Sequence, residues 1–247
     1  MSTTQQISNS RIGTVDWVPE TAFGTWFLST RIWFRYVLTE AIVNLKAIAG
    51  NRGCDARALL DVGCGRGLAF ALLGDHFRPQ SIVGVDIDDR LLRRAEQDRS
   101  LWPCEVQLRR CSVTRLDLPD DSIDTVFCHQ LLHHVADQDA ALRELYRVMA
   151  PGGILLASES CRSFIESWWV RTFFRHPMKV QKSAEEYQRL LRTAGFEFSD
   201  EDIRESSPWW SQRDLGIARQ LGLTRRPLTT TELLIVAVKP GGQPANS

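Results

Sequence analysis

The feature that most constrains the fold is an alternation of short apolar runs with amphipathic segments between residues 58 and 160. Runs that are apolar on both faces, each followed by a helical pattern, are typical of a parallel sheet covered by helices on both sides. The predicted strands are ALLDVG (58–63), SIVGVDI (81–87), EVQLRRCSV (105–113), IDTVFCH (123–129), ILLASES (154–160) and TELLIVAVKP (231–240). Helices are predicted at 66–77, 89–98, 140–149, 163–178 and, with a capping box, 183–196.

The first predicted strand ends in a glycine-rich turn, DVGCGRG, directly before a predicted helix. Such a turn brings backbone N–H groups and a helix N-terminus up to a ligand. Its spacing is neither the GxGxxG of dinucleotide sites nor a P-loop with its Lys-Ser/Thr pair. Asp86 ends the next predicted strand, 19 residues after Gly67, where a carboxylate can accept hydrogen bonds from both ribose hydroxyls of an adenosine.

The sequence resembles the class I S-adenosylmethionine (SAM)-dependent methyltransferases that act on small molecules, with a type 11-like domain. Four motifs follow the family's order: DVGCGRG, VGVDIDDRLLRRA, LDLPDDSIDTVFCHQLLHHVAD and ALRELYRVMAPGGILLASE. The resemblance implies an α/β, Rossmann-like sheet of seven strands in the order 3-2-1-4-5-7-6, with strand 7 antiparallel, helices on both faces and an N-terminal helical lid. GFEFSDEDIRE and TELLIVAVKP would supply strands 6 and 7, and SAM would bind at the carboxyl ends of the strands.

The resemblance also implies which residues hold SAM. The glycines of the turn would make room for its methionine end, Asp86 would bind its ribose, and Asp61 would hold the turn or face its amino group. The family often has an aspartate for the adenine amino group, but Ser112 stands there, and this departure leaves the adenine contacts in question. The implied cofactor-binding set is Asp61, Gly63, Cys64, Gly65, Gly67, Asp86, Ile87, Ser112, Val113 and His129.

The segment HQLLHH contains His129, His133 and His134. His129 or His133 is a candidate catalytic base for a hydroxyl acceptor, because imidazole titrates near neutral pH, and packing or capping is the alternative for each. His134 matches a position that is structural in similar proteins. Because Gln130 replaces the glutamate of HExxH and no third ligand is evident, the sequence predicts no metal site.

The acceptor should be recognised by the aromatic segments outside the shared core, which are 17–50 and an insertion at about 160–182. We predict an apolar lid for a lipophilic or aromatic small molecule. Simple helix packing, or a helix lying on a membrane, are the alternatives. The candidate substrate-binding residues are Trp17, Trp26, Glu159, Trp168, Trp169 and Trp209. O- or C-methylation is favoured, with N-methylation, lipid methylation at a membrane surface, or a SAM-binding regulatory protein without catalysis as alternatives.

The expected organisation is a disordered lead-in (1–16), a helical cap (17–50), a methyltransferase domain (51–240) and a flexible tail (241–247). The chain has 30 basic and 30 acidic side chains, which argues against a nucleic-acid partner. The first residues lack the apolar core of a signal peptide, and the six cysteines contain no CxxC pair. We therefore expect a cytoplasmic enzyme of secondary metabolism, monomeric or homodimeric, with at most peripheral membrane contact.

Overall fold

The computed structural model describes residues 21–212 and 229–241, together with Ile217 and Leu221. Its centre is a seven-stranded sheet in the order β3-β2-β1-β4-β5-β7-β6, in which β7 is antiparallel to both of its neighbours. The strands are β1 (Leu59–Val62), β2 (Ser81–Asp86), β3 (Glu105–Arg110), β4 (Ile123–His129), β5 (Met149–Ser160), β6 (Ile203–Ser206) and β7 (Glu232–Val238). The predicted fold class and strand order are therefore confirmed.

The helices of the described residues follow the predicted alternation. They are α1 (Ala22–Phe27), α2 (Arg31–Trp33), α3 (Glu40–Ala49), α4 (Phe70–Phe77), α5 (Asp89–Gln97), α6 (Gln138–Val148), α7 (Arg162–Ile165), α8 (Trp168–Phe173) and α9 (Ala184–Thr193). A π-helical turn, Phe34–Thr39, joins α2 to α3. The capping box before α9 forms as predicted, because the Ser183 hydroxyl accepts from the Glu186 N–H and the Glu186 carboxylate accepts from the Ser183 N–H.

The sheet is covered on both faces, which explains why its strands are continuous apolar runs. Successive side chains of a strand point to opposite faces. Leu59 of β1 accordingly packs in a cluster with Leu45 of α3 and Phe70 of α4. Its neighbour Leu60 packs in a second cluster that contains residues of α6 and α9, such as Leu145.

The described part of the N-terminal cap has two different components. Helix α3 packs against the sheet, since its residues Ile42 and Leu45 are completely buried in a cluster with strand residues. The segment of α1 and α2 instead leaves large apolar side chains exposed, among them Trp26 and Ile32. The lead-in 1–16, Trp17 and the tail 242–247 lie outside the described residues.

Several boundaries differ from the prediction, including those of the insertion, β3 and β5. The insertion forms two short helices, α7 and α8, instead of one helix over 163–178. Strand β3 ends at Arg110, three residues early. Strand β5 begins at Met149, because Pro151–Gly153 forms a bulge: Ile123 of β4 pairs with Met149, whereas Thr125 pairs with Ile154.

The order of the strands also places the candidate site. The strand order reverses between the adjacent strands β1 and β4, so the loops that follow them diverge and leave a crevice at their carboxyl ends. None of the helices in the described ranges has the length and hydropathy needed to cross a bilayer.

Candidate active site

A cavity of about 780 Å³ opens at the carboxyl ends of the parallel strands, within the size range of small-molecule sites. Two sets of residues line it. The first, called here the glycine side, consists of Asp61, Gly63, Cys64, Gly65, Asp86, Ile87, Ser112 and Val113. The second, the histidine side, consists of His129, His133, His134 and His176 with the aromatic residues Trp26, Phe27, Trp33, Phe164, Trp169, Phe174 and Trp210.

The glycine-rich turn after β1 is bound to the end of β2. The N–H groups of Gly63 and Cys64 both donate to the carbonyl of Val85, at 2.8 and 3.0 Å. The N–H of Gly65 donates to Oδ2 of Asp86 at 2.9 Å. These three bonds fix the turn and the Asp86 carboxylate relative to each other.

Two glycines of the turn have different reasons to be glycine, although both have a positive φ, +54° at Gly65 and +71° at Gly67. A Cβ on Gly67 would lie 2.5 Å from the ring of Phe70, so this glycine allows α4 to begin close to the turn. A Cβ on Gly65 would meet nothing within 4 Å. Gly65 lines the cavity and Gly67 does not, so the geometry gives Gly67 a packing role in place of the implied cofactor contact.

Asp86 presents a held carboxylate to the cavity. Its Oδ2 accepts from Gly65, and its Oδ1 accepts from the N–H of Asp88 at 2.8 Å. Each carboxylate oxygen has more than one acceptor position, so both oxygens retain capacity for a ligand hydroxyl. Burial raises the pKa of Asp86 above its usual value, while the two backbone bonds favour the charged form.

Asp61 is buried, with 3% of its surface exposed, and its Oδ2 has no hydrogen-bond partner among the described residues. Burial, followed by the nearby charge of Asp86, raises the pKa of Asp61 to about 8. A buried oxygen without a partner that lines a cavity is suited to a polar ligand group. A cationic amino group would relieve both the missing bond and the charge repulsion.

The remaining residues of the glycine side have modest polar capacity. Ser112 lines the cavity, but its hydroxyl is bonded to the Thr114 hydroxyl at 2.8 Å and accepts from the Thr114 N–H. Ile87 and Val113 add apolar surface. Cys64 is a buried free thiol whose pKa is raised by burial, so it remains neutral.

His129, the last residue of β4, lies between aromatic rings. Its ring centroid is 5.8 Å from that of Trp33 and 5.8 Å from that of Phe127. Both of its ring nitrogens are buried without a partner among the described residues, and burial, followed by the influence of His133, lowers its pKa to about 3. A histidine with so low a pKa is a weak proton acceptor, which favours a packing or hydrogen-bonding role over general-base catalysis.

His133 lies on a 3₁₀ turn, Leu132–His134, and is held by a buried carboxylate. Its Nδ1 is 2.8 Å from Oε2 of Glu159, whose Oε1 accepts from the N–H groups of Leu131 and Leu132 at 3.0 and 2.8 Å. A carboxylate can only accept, so Nδ1 carries the hydrogen and Nε2 remains for a ligand.

This arrangement changes the role of Glu159. The carboxylate is 2% exposed and absent from the cavity lining, so the expectation that it contacts an acceptor is not supported. The next residue, Ser160, does line the cavity, and its hydroxyl donates to Oε1 of Gln130 at 2.6 Å. Adjacent strand residues point to opposite faces, so only one of the pair can reach the cavity.

Two buried glutamines connect the histidine turn to the insertion. The amide of Gln138 donates to the carbonyls of Leu132 and Val180, and that of Gln181 donates to the carbonyls of His133 and Pro177. The bonds bring His176 next to the turn, with its ring centroid 5.2 Å from His133 and 4.7 Å from His134. Sequence analysis missed His176, which follows His134 by 42 residues and matches no motif.

The predicted acceptor-binding tryptophans are divided by the structure. Trp26 and Trp169 line the cavity. Trp168 and Trp209 do not, and they are 68% and 46% exposed, whereas Trp210 does line it. Adjacent residues of a helix point about 100° apart, so only one tryptophan of each adjacent pair faces the cavity. The sequence alone does not show which of the two it is.

Aromatic contacts join α1 to the insertion and form what we call the roof of the histidine side. The ring of Phe23 lies 4.9 Å from that of Phe173, and the ring of Phe27 lies 5.7 Å from that of Phe174. The Thr21 hydroxyl also donates to the Phe173 carbonyl at 2.5 Å. The aromatic N-terminal segment and the aromatic insertion, both predicted to form a lid, therefore pack against each other.

Comparison with known proteins finds a match to the region that carries the glycine side of the cavity. Residues 60–157 match a family model described as a methyltransferase domain. A probable S-adenosylmethionine-dependent methyltransferase of Mycolicibacterium smegmatis is 33% identical over 60% of this chain and 54% of its own length. A ubiquinone biosynthesis O-methyltransferase of Alkalilimnicola ehrlichii is 27% identical over 71% of this chain and 67% of its own length. The chain thus spans about half of the Mycolicibacterium relative.

A solved structure supports the fold. The [4+2]-cyclase SpnF superposes with a TM-score of 0.60 at 24% identity, over 81% of each chain. The matched family region contains the glycine turn, Asp86 and the histidine turn. Residues 60–157 are therefore similar to the methyltransferase domain, and the bacterial relatives that share this region are named as S-adenosylmethionine-dependent or O-methyltransferases.

Proposed function

We propose that the protein transfers the methyl group of SAM to a small lipophilic or aromatic acceptor, with an acceptor oxygen as the favoured site. The observation that carries the proposal is the continuity of the cavity. A set of donors and acceptors suited to SAM opens into a region lined by a carboxylate-held imidazole and aromatic rings.

The residues of the glycine side fit SAM. The unpartnered Oδ2 of Asp61 matches a cationic amino group, and the Asp86 carboxylate matches the ribose hydroxyls. The open space beside Gly65 admits the methionine end, and Ile87 offers an apolar surface for the adenine ring. When bound, SAM supplies an electrophilic methyl group.

The histidine side contributes alignment and exclusion of water, which account for much of the rate of a direct displacement. The aromatic roof supplies the apolar walls. His133 is the better candidate base, because Glu159 orients its ring and would stabilise the imidazolium that forms when Nε2 takes a hydroxyl proton. His129 lacks such a partner among the described residues.

Two other functions remain as alternatives. Exposed rings of Trp26, Trp168 and Phe173 would suit N-methylation or lipid methylation at a membrane surface. However, Arg162, a basic residue at the start of the insertion, pairs with Glu186. A cyclase with this fold supports the second alternative, a SAM-binding protein without methyl transfer, because the fold does not fix the reaction. A cytoplasmic location, a role in secondary metabolism and a monomeric or homodimeric state belong to the proposal as expectations from the sequence.

Calorimetry and product analysis test the proposal. The protein should bind SAM and not NAD, and should form a methylated product with one equivalent of S-adenosylhomocysteine from a panel of phenols, quinones, fatty acids and amines. NAD binding in place of SAM would refute the cofactor assignment. SAM binding without product from any class would favour the non-catalytic alternative.

The proposed base has its own test. His133→Ala should lower turnover while leaving the affinity for SAM nearly unchanged, and His76→Ala, a histidine of α4 outside the cavity, should change neither. Equal losses of turnover and affinity in His133→Ala would indicate a structural role.

A further inference from the structure

The histidine side gathers more imidazoles than a single base requires. We propose that His133, His134 and His176 form a binding site for a divalent transition-metal ion, best matched by zinc. Binding of the ion requires neither the glycine side nor methyl transfer.

The spacing of the three side chains supports an ion. One ring nitrogen from each residue lies within 4.8 Å of those of the other two. Zinc–nitrogen bonds of about 2.0–2.1 Å in tetrahedral geometry place the ligand nitrogens about 3.3 Å apart. The three nitrogens would have to approach one another by at most about 1.5 Å to bind one ion.

The Glu159 carboxylate supplies the support that metal-ligating histidines usually have. Such a histidine typically donates its other ring N–H to a carboxylate, which fixes the tautomer and makes the ligand nitrogen more basic. Nδ1 of His133 is bonded to Oε2 of Glu159 at 2.8 Å, which leaves Nε2 for the ion. The carboxylate is itself fixed by the backbone N–H groups of Leu131 and Leu132.

The backbone that carries the ligands is also fixed. Gln138 and Gln181, each 3% exposed, bridge the histidine turn to the segment that follows His176. A metal-ligating side chain on a separate segment adds little to the affinity for the ion if that segment moves. These four hydrogen bonds restrict such movement. Neither glutamine lines the cavity, so their contribution is to hold the histidine turn and the insertion together.

The ligand set indicates the class of ion. Three imidazoles without a carboxylate or thiolate among the described ligand atoms suit zinc, cobalt, nickel or copper, and do not suit magnesium or calcium. All three histidines line the cavity. Three protein ligands facing a cavity leave a further coordination position, as in catalytic zinc sites.

The ion would use the same Nε2 of His133 that would accept a proton in the metal-free protein. The two roles therefore exclude each other at any moment. An acceptor oxygen would be the natural occupant of the open position, and this last point rests on the proposed function, whereas ion binding does not.

Metal titration tests the inference. Chelator-treated protein should bind one equivalent of Co²⁺, with the visible absorption of a nitrogen-ligated ion, and Zn²⁺ should displace it. Glu159→Gln should weaken binding about 10–100-fold, and His176→Ala by more, because it removes a ligand. His76→Ala, the matched control, should bind like the wild type.

Folding and function are separated by two further measurements. Each variant should bind S-adenosylhomocysteine like the wild type, which shows that the variant is folded. If His176→Ala does not fold, His176→Gln replaces it in the titration. Absence of one-equivalent binding, or unchanged binding in His176→Ala, would overturn the metal site. Methyl transfer by chelated, metal-free protein would leave the proposed function standing, and Co²⁺ binding without methyl transfer would leave the metal site standing.

Discussion

The two sides of the cavity are assembled in different ways. The glycine side comes mainly from two consecutive strand ends, between Asp61 and Asp88, and its parts are joined by backbone hydrogen bonds. The histidine side comes from four separated segments: α1 with α2, the end of β4 with the loop after it, the insertion after β5, and the turn after β6 that carries Trp210. Much of it lies outside the matched family region, residues 60–157. Cofactor recognition is thus built from local structure, and acceptor recognition from tertiary contacts.

The largest expected effect falls on the glycine side. Asp86→Ala removes the acceptor for the ribose hydroxyls and for the Gly65 N–H. Hydrogen bonds to a charged group are worth about 1.5–3 kcal/mol each, so losing two should weaken S-adenosylhomocysteine binding at least about 150-fold. The measurement is calorimetry, with Asp89→Ala as control, since Asp89 does not line the cavity and pairs with exposed Arg93. Equal binding by both variants would remove Asp86 from the cofactor site.

The next effect distinguishes the histidine side from the glycine side. In Glu159→Gln the amide oxygen can accept from the backbone N–H groups, but the amide nitrogen that would then face Nδ1 of His133 can only donate. His133 would therefore carry its hydrogen on Nε2, which could no longer accept a proton. Turnover should fall about 100-fold, the scale of general acid–base contributions, while the affinity for S-adenosylhomocysteine stays constant. Glu166→Gln, an exposed neighbour on the insertion, is the control. A matching loss of cofactor affinity would mean that the two sides are not separable.

The buried carboxyl of the glycine side predicts a dependence on pH. With its pKa raised to about 8, Asp61 is protonated at neutral pH in the ligand-free protein, and an ammonium group would bind its charged form. S-adenosylhomocysteine affinity should therefore rise with pH up to about 8, by at most about tenfold per unit. Asp61→Asn should abolish this slope. If the affinity changes with pH equally in the wild type and in Asp61→Asn, a group other than Asp61 titrates.

The same group predicts the sign of a stability change. The folded-state pKa of Asp61 lies above the unfolded value near 4, so the ligand-free folded state binds the proton more tightly. The associated stabilisation is complete below about pH 4 and is lost as the pH rises through about 8. The difference in unfolding free energy between wild type and Asp61→Asn, measured against pH, isolates this contribution from other titrating groups.

The smallest expected effect concerns the roof. Trp169→Ala removes a ring that lines the cavity and should raise the KM for the acceptor about fivefold, the equivalent of about 1 kcal/mol of partial apolar burial. Trp168→Ala removes an exposed ring outside the cavity and should leave KM unchanged. If Trp168→Ala has the larger effect, the exposed surface and not the cavity wall recognises the acceptor.

The sequence predicted the features that are determined locally. Strand β4 occupies the predicted range, because its apolar run is bounded by polar residues. The strand order is not a local feature; it was implied by the resemblance to a family and is confirmed. Ser183 caps α9 through the predicted contact with Glu186, since capping depends on residues three apart. Asp86 lines the cavity for a similar reason, because a strand end and the following turn fix its position.

The features that sequence analysis missed depend on tertiary packing. The role of Gly67 is set by the ring of Phe70, and that of Glu159 by the turn that packs over it. His176 lies near the other histidines because the insertion packs there, and two distant glutamines bond the insertion to the histidine turn. Trp168 and Trp169 are adjacent on α8 and point in different directions, and only Trp169 faces the cavity. None of these relations leaves a periodic pattern in the sequence.

The central claim, that the glycine side binds the methyl donor, is tested most directly by comparing Gly65→Arg with Gly152→Arg in calorimetric titrations with S-adenosylhomocysteine. Both glycines have a positive φ and open space beside the missing Cβ, so both variants should lose a similar folding free energy of about 1–2 kcal/mol. Only Gly65 lines the cavity. The account predicts wild-type binding by Gly152→Arg and no binding by Gly65→Arg. Equal binding by the two folded variants would contradict it.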